Sequence, residues 1–199
     1  MVKKIDMKEK ILAMAKCEIK RHGTSFRMDD LAYLLNISKR TLYENFSSKK
    51  EIVETIIFAE IDYIYTQHQL LLADATLSVE DKLIGYFSVR SNTFILVTED
   101  LSANFFNKYP ELFDIVTQRF NKDWFLLEQF IRESQQTKKL ADFDVGIFLT
   151  SLHGAMMALY EHREEFSYYK SVVELMRSVI EIMIYGIKKN GGLKKNDNE

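Results

Sequence analysis

Hydrogen-bond donors cluster in one short stretch within the first quarter of the sequence. Basic, hydroxyl and amide side chains follow one another there, with few apolar interruptions. Side chains of these types donate hydrogen bonds to base edges in the major groove of DNA and to phosphate oxygens. The stretch therefore predicts a DNA contact, and a solvated basic helix is the alternative interpretation. The candidate residues are Ser38, Lys39, Arg40, Thr41, Tyr43, Asn45 and Lys49.

The order of these residues indicates different tasks for them. Lys39 and Arg40 can donate to guanine O6 and N7, and Thr41 can bond a base or touch a thymine methyl group. Tyr43 and Lys49 lie farther along, where contact with phosphate is favoured over contact with bases. These residues can reach the same groove only if they lie on one short helix or directly beside it.

The first element that positions these residues is a short helix predicted to begin near Met28. Leu31, Leu34 and Leu35 form its expected inward face. Asn36 should end it, because asparagine tolerates the left-handed backbone of a tight turn.

A second short helix is predicted from Lys39 to Phe46, with Ser38 as its N-cap. Leu42 and Phe46 are four residues apart and should face inward. Two short helices joined by a tight turn, the second with a basic and hydroxyl-bearing outer face, form a helix-turn-helix over residues 28–46. The next helix opens with Ser48 and Glu51, at the spacing of a capping box.

The charge distribution agrees with a DNA-binding N-terminus. Residues 1–50 hold 12 basic and 6 acidic residues, a net charge of +6. The rest of the chain holds 15 basic and 23 acidic residues, a net charge of −8. A basic head on an acidic body indicates that one end meets a polyanion.

Composition and periodicity predict an all-α protein. One proline and seven glycines in 199 residues leave room for long uninterrupted helices. About nine helices are expected, with a charged, disordered tail at 191–199. Their expected ranges are about 5–22, 28–35, 39–46, 48–72, 79–97, 98–107, 110–135, 144–162 and 167–190.

The N-terminus has no pattern of a signal peptide, and no run of residues is apolar enough to span a bilayer. The single cysteine, Cys17, excludes a disulfide framework and is expected to pack among apolar neighbours. We therefore expect a cytoplasmic protein.

The last two predicted helices favour a homodimer. The final one is apolar around most of its circumference, so it must be covered on several sides. The helix before it carries glycine and alanine, which allow another helix to approach closely. A monomer core filled by both helices is the alternative. The expected interface residues are Gly154, Ala158, Met176, Val179 and Met183.

The aromatic middle of the chain is expected to be mostly core. A subset lining a cavity would suit an apolar or aromatic ligand, and the acidic body would suit a cation. His68 and His153 could be polar anchors or metal ligands, or structural histidines; neither has the paired spacing of a zinc site, so no metal is predicted. The candidate pocket residues are Tyr63, Phe87, Phe94, Phe105, Trp124 and His153.

The segment from Met28 to Ile52 resembles the DNA-binding signature of TetR/AcrR-type regulators. The hydrophobic positions, the serine cap, Thr-Leu-Tyr and Phe-x-x-Lys occur together, and the resemblance covers about residues 8–53. The helix upstream matches the family's first helix in Ile11, Leu12, Ala15, Ile19 and Gly23.

Two positions depart from the family pattern. Asn36 stands where glycine is usual and should preserve the turn. Arg27 stands where serine or threonine often caps the helix, which weakens the cap and adds a cation near the DNA backbone. Arg27 and Met28 therefore join the candidate DNA contacts.

The resemblance implies a transcriptional regulator that binds near-palindromic operators as a homodimer, usually a repressor released by a small molecule. A regulator without a ligand, acting constitutively as repressor or activator, is the alternative. We expect a DNA-binding domain at 1–48 and a ligand-binding and dimerisation domain at 49–190. No enzyme is predicted and no cofactor, because nucleophile elbows, phosphate-binding glycine loops and metal pairs are missing from the sequence.

Overall fold

The computed structural model describes residues 6–89, 110–166 and 172–186. Within them every regular element is helical, which confirms the all-α class. The predicted helix at 98–107 and the predicted tail lie outside the described residues. The helices are α1 (Met7–His22), α2 (Met28–Leu34), α3 (Lys39–Asn45), α4 (Lys49–Ala73), α5 (Val79–Tyr86), α6 (Pro110–Gln136), α7 (Val145–Glu161) and α8 (Val172–Tyr185), with 3₁₀ turns at Gly23–Ser25 and Arg163–Phe166.

The described residues form two compact units. The first holds the chain up to Leu70 together with Pro110 to Leu127, and the second holds Leu71 to Val89 together with the chain from Glu128 onward. The long helices α4 and α6 each contribute residues to both units. None of the described helices has the length and apolarity needed to cross a membrane.

The core of the first unit joins α1–α4 to the start of α6. Leu31 of α2 and Leu42 of α3 are fully buried, and Leu112 and Val116 of α6 belong to the same apolar cluster. Each such side chain stabilises the fold by roughly 1.5–3 kcal/mol through burial. The α1 residues buried in this cluster are Ile11, Ala15 and Ile19, and the partly buried Leu12 packs against it; all four are positions that match the family's first helix.

Two expected core positions in this unit are wrong. Leu34 is 43% exposed, because the buried face of α2 is centred on Leu31, Ala32 and the partly buried Leu35, and Leu34 lies to one side of that arc. Cys17 is also exposed. It lies on the side of α1 opposite the buried Ala15, since two residues along a helix turn the side chain by about 200°.

The second unit packs α5, the end of α6, α7 and α8. Its buried side chains include Leu83 and Ile131, and Leu152 and Ile180 are fully buried. Gly85 allows α5 to lie close to the end of α4, because a Cβ at that position would be 3.2 Å from the Leu71 side chain.

Two predicted helix ends are wrong in this unit. The helix from residue 79 ends at Tyr86, where Ser88 turns back to donate its backbone N–H to Gly85 and its hydroxyl to the Ile84 carbonyl. The last helix ends at Tyr185, because Gly186 adopts a left-handed φ of 71° and donates its N–H to the Ile182 carbonyl.

Candidate nucleic-acid interface

The turn between α2 and α3 has the geometry that its residues predict. Asn36 has a φ of 52°, in the left-handed region, and Ile37 donates its N–H to the Ala32 carbonyl at 3.0 Å. Ser38 then caps α3: its Oγ accepts from the Thr41 N–H at 3.0 Å and lies 2.8 Å from Thr41 Oγ1. The predicted turn and cap are both confirmed. Together they fix the direction in which the short α3 leaves the turn.

Both cations at the start of α3 have carboxylate partners. Lys39 Nζ donates to Asp29 Oδ2 of α2 at 2.7 Å, and Arg40 Nε donates to Glu44 Oε1 at 2.8 Å. All four side chains are about half exposed or more, so the pairs are weakly held and can exchange for DNA groups. The Lys39 contact connects α3 to α2 across the turn.

The other predicted contacts on α3 differ in accessibility. Tyr43 is 48% exposed, so its hydroxyl end can reach a partner. Thr41 is half-buried. Asn45 is also half-buried, and its Nδ2 donates to the Thr41 carbonyl of its own helix at 2.8 Å.

Residues flanking the motif complete the basic surface. Lys49 lies at the start of α4, with its Nζ 4.8 Å from the centre of the Phe26 ring. Arg27 is exposed at the N-cap position of α2 and makes no side-chain cap bond there, as its departure from the family pattern predicts. Met28 is partly buried and packs against the core. Its main contribution is therefore to the packing of the motif, and little of its side chain is accessible to DNA.

The start of α4 is capped in a modified way. Ser48 Oγ accepts from the Glu51 N–H at 3.2 Å, as a capping box requires. Glu51, however, accepts from both the N–H and the Oγ of Ser47, each at 2.7 Å, where the capping box would use the Ser48 N–H. These hydrogen bonds from Ser47 lower the pKa of the Glu51 carboxyl.

Sequence reasoning missed one residue of this surface, Glu44. It lies on the outer face of α3 beside Arg40. The signal was present in the sequence, because residues four apart share a helix face and Arg40 was already assigned outward. A carboxylate does not fit a simple basic surface, so the pattern of basic and hydroxyl residues does not point to Glu44.

Comparison with known proteins agrees with this geometry. Residues 11–56 match the family model described as bacterial regulatory proteins, tetR family. That range begins in α1 and ends in α4, so it contains the whole helix-turn-helix. This region of the chain is thus a TetR-family DNA-binding domain.

A curated relative and solved structures extend the likeness beyond the DNA-binding motif. The chain is 26% identical over 182 residues to the uncharacterized HTH-type transcriptional regulator YvaF of Bacillus subtilis, covering 91% of this chain and 95% of that protein. The fatty acid degradation regulator FadR of Bacillus halodurans matches with a TM-score of 0.70 at 15% identity, over 94% of this chain and all of the other.

A further solved structure comes from Saccharomonospora viridis, assigned as a transcriptional regulator and determined in complex with choline. It matches with a TM-score of 0.70 at 18% identity over 90% of this chain and 95% of the other. The identities are low, so these structures establish that the fold is shared. The match at residues 11–56 and the curated relative, by contrast, indicate the role: the chain is a DNA-binding transcriptional regulator.

The predicted pocket residues of this regulator have varied surroundings. Tyr63 and His153 are exposed, whereas Phe87 and Trp124 are half-buried. Tyr63 and Trp124 belong to the first unit, and Phe87 and His153 to the second. The two remaining candidates, Phe94 and Phe105, lie outside the described residues.

The first unit contains a polar pair of which the sequence indicated only one member, His68. His68 is 5% exposed on α4, and its Nδ1 lies 2.9 Å from both carboxylate oxygens of Asp123 on α6. The sequence left His68 as a polar anchor, a metal ligand or a structural histidine, and its contact with Asp123 could not be read from the sequence. Within the described part of the chain, no three His, Cys, Asp or Glu residues are grouped to hold a metal ion.

The predicted interface residues divide between surface and interior. Gly154 and Ala158 are exposed on α7, whereas Met176 is buried and Val179 and Met183 are half-buried on α8. The exposed surface of these helices also carries larger apolar side chains, Ile147 and Met157 of α7 and Ile182 and Tyr185 of α8.

Proposed function

We propose that this TetR-family regulator is a repressor that binds a near-palindromic operator as a homodimer and is released by a small apolar or aromatic molecule. The observation that carries the DNA-binding site is the Ser38-capped α3, which bears the exposed Lys39, Arg40 and Tyr43 and the half-buried Thr41. A helix of this size fits the major groove of DNA, where its N-terminal side chains reach base edges.

The groups beside α3 suit the phosphate backbone. Arg27 and Lys49 lie at the starts of α2 and α4, where exposed N–H groups of a helix also favour anions. In this proposal residues 1–48 are the DNA-binding head and residues 49–190 the ligand-binding and dimerisation body. A cytoplasmic location follows from the need to reach DNA.

Exposed apolar surface on α7 and α8 supports the homodimer. Ile147 is 67% exposed and Met157 55% exposed on α7, and Ile182 is 55% exposed and Tyr185 62% exposed on α8. A second copy related by a two-fold axis would cover these side chains in a four-helix contact. The dimer would set its two α3 helices about 34–36 Å apart, one turn of DNA.

Small-molecule release is supported by the aromatic residues near the middle of the chain and by two structural relatives. One of these relatives is a fatty acid degradation regulator, and the other was solved with choline. A ligand would act only by binding more tightly to the state whose α3 spacing does not fit the operator. A regulator that binds DNA constitutively is the second candidate.

The first unit offers a route by which α6 could move the head. Leu112 and Val116 of α6 are buried in the same cluster as the α1–α3 core. Lys50, at the start of α4, forms an ion pair with Glu111 in the first turn of α6, which lowers the pKa of that carboxyl. A shift of α6 would therefore act directly on the packing that holds α3.

The DNA-binding site can be tested by selecting duplexes from a random pool and then measuring binding of variants to the selected site. Tyr43→Ala should weaken binding at least about tenfold, since a lost hydrogen bond to a charged group is worth about 1.5–3 kcal/mol. Tyr33→Ala is the matched control, because Tyr33 is 85% exposed on α2 and outside the proposed contacts. Equal binding by both variants would refute this assignment of the surface.

Ligand release can be tested with the single tryptophan, Trp124. Its fluorescence should change when choline or a long-chain fatty acid binds, and the same compound should release the selected duplex in a shift assay. Mass spectrometry of the purified protein would identify a molecule retained from the cell. An operator complex that no retained or added compound weakens would favour the constitutive regulator.

A further inference from the structure

The outermost pair of side chains on α3 is Arg40 and Glu44. Leu42 is fully buried and defines the inward direction of this helix. At about 100° per residue, Arg40 and Glu44 both lie within about 20° of the opposite direction. Their side chains are 87% and 58% exposed, so Arg40 and Glu44 form the crest of the helix that enters the groove.

The carboxylate on this crest contributes little to the fold, because an exposed ion pair between residues four apart on one helix stabilises a protein only slightly. Glu44 is exposed, and its hydrogen bond is to Arg40 Nε at 2.8 Å on the same helix. DNA is densely negative, so a carboxylate at this position lowers affinity for every sequence alike unless a base donates to it. The presence of Glu44 on the crest therefore indicates a role in discriminating between DNA sequences and not in raising the affinity for DNA.

We propose that Glu44 is a specificity-determining residue that accepts a hydrogen bond from the N4 amino group of a cytosine, while Arg40 donates to a neighbouring guanine. The proposal rests on the placement of α3 in the major groove put forward above. The hydrogen bond to Glu44 uses one of the five N–H donors of the Arg40 guanidinium, which leaves four for guanine O6 and N7.

The chemistry of the groove makes cytosine the partner of a carboxylate. Cytosine presents the N4 amino donor, whereas guanine presents two acceptors and thymine presents an acceptor and a methyl group. An acceptor placed opposite Glu44 would leave one of its carboxylate oxygens desolvated without a donor, which is costly. Adenine offers a donor beside an acceptor and should rank second. Glu44 thus selects mainly by rejecting the wrong base.

The test is selection from random duplexes with wild-type protein, Glu44→Ala and Glu44→Gln. Wild-type protein should select cytosine at one position of each half-site, by about tenfold or more over thymine. Glu44→Ala should lose preference at that position alone, keep it elsewhere, and bind unselected DNA more tightly. Glu44→Gln should favour adenine there, because an amide pairs with adenine N6 and N7.

The matched control is Glu128→Ala on α6. Glu128 makes the same kind of pair, with Arg132 Nε donating to its Oε1 at 2.8 Å four residues away, but it lies outside the DNA-binding motif. This variant should select the wild-type sequence. Unchanged base preference in Glu44→Ala would overturn the role of Glu44, as would a uniform gain in affinity without a change in preference. A wild-type protein that selects no sequence at all would instead refute the placement of α3.

Discussion

Asn36 holds the backbone between α2 and α3 in the left-handed region. That conformation costs most L-residues about 1–2 kcal/mol, and asparagine tolerates it better than other non-glycine residues. The direction of α3, and so of every proposed base contact, depends on this position together with the Ser38 cap.

Substitution of Asn36 should therefore affect stability according to backbone preference. Asn36→Gly should leave the free energy of unfolding unchanged or slightly raised, whereas Asn36→Ala should lower it by about 1 kcal/mol. Urea titration followed by circular dichroism measures both. Lys138 serves as an internal comparison, because it is also left-handed, with a φ of 56°, and Lys138→Gly should stabilise the protein. Equal stability of the Gly and Ala variants at 36 would contradict this account.

The His68–Asp123 pair between α4 and α6 is a second contact of single residues on which we expect the stability of the fold to depend. Asp123→Ala should lower the free energy of unfolding by about 1–3 kcal/mol, because the buried His68 ring loses its hydrogen bond to the carboxylate. Asp62→Ala is the matched control: Asp62 joins the same two helices through Arg119, but its side chain is 66% exposed. That exposed pair should contribute less than about 1 kcal/mol. Similar losses in the two variants would show that burial does not distinguish the pairs.

At the scale of the element, side-chain caps set where the helices begin. Ser38, Ser78 and Asp144 each accept the backbone N–H of the residue three positions on, at the starts of α3, α5 and α7. Each such cap is worth about 1 kcal/mol. These starts were predictable, because the cap and the first turn are adjacent in sequence. The ends of α5 and α8 were predicted too far along the chain, since apolar residues continue past Ser88 and Gly186.

The capped start of α4 should respond to acid. Hydrogen bonds from Ser47 lower the pKa of the Glu51 carboxyl. The ionised Glu51 therefore stabilises the protein at pH values above the ordinary glutamate pKa of about 4.3. This contribution disappears as the pH falls through the lowered value. Glu51→Gln should be less stable than wild type at pH 7, by less than about 1 kcal/mol because the group is solvent-screened, and equally stable near pH 2.

Thermal unfolding across this pH range measures the effect of Glu51. Ser47→Ala removes one of its two donors and should give a smaller change in the same direction. A constant difference between wild type and Glu51→Gln at every pH would mean that the ionised carboxylate is not the stabilising species.

At the scale of the whole molecule, the unexplained surface is the apolar face of α7 and α8. Gly154 lies in the middle of α7, where a glycine costs roughly 0.5–1 kcal/mol relative to alanine. No contact among the described residues explains it, because a Cβ there would have none of their heavy atoms within 4 Å. A close approach by a second copy would explain both the glycine and the exposed side chains.

Gly154 therefore offers a test of the dimer that spares the fold. Gly154→Arg should leave the helical content unchanged but convert the protein to a monomer, which sedimentation at several concentrations would detect. Gly154→Ala should remain dimeric, and Ala141→Arg is a control for added charge at an exposed position outside the helices. A dimeric Gly154→Arg protein would place the interface elsewhere.

The features that depend on neighbouring residues could be predicted from the sequence. Apolar periodicity defined the helices, Asn36 and Ser38 defined the turn, and the order of basic and hydroxyl side chains indicated the DNA-binding surface. These are local properties, because backbone preference, capping and helix faces depend on residues within about one turn of each other.

The tertiary structure alone decided which distant groups meet. It joined Leu112 and Val116 to the core of the DNA-binding head and brought Asp123 to His68. It also gave Lys39 an acidic partner on α2. Contacts between separate helices depend on how those helices pack, which no short stretch of sequence encodes. Packing likewise exposed Cys17 and Leu34, since the buried arc of a helix depends on which neighbours cover it.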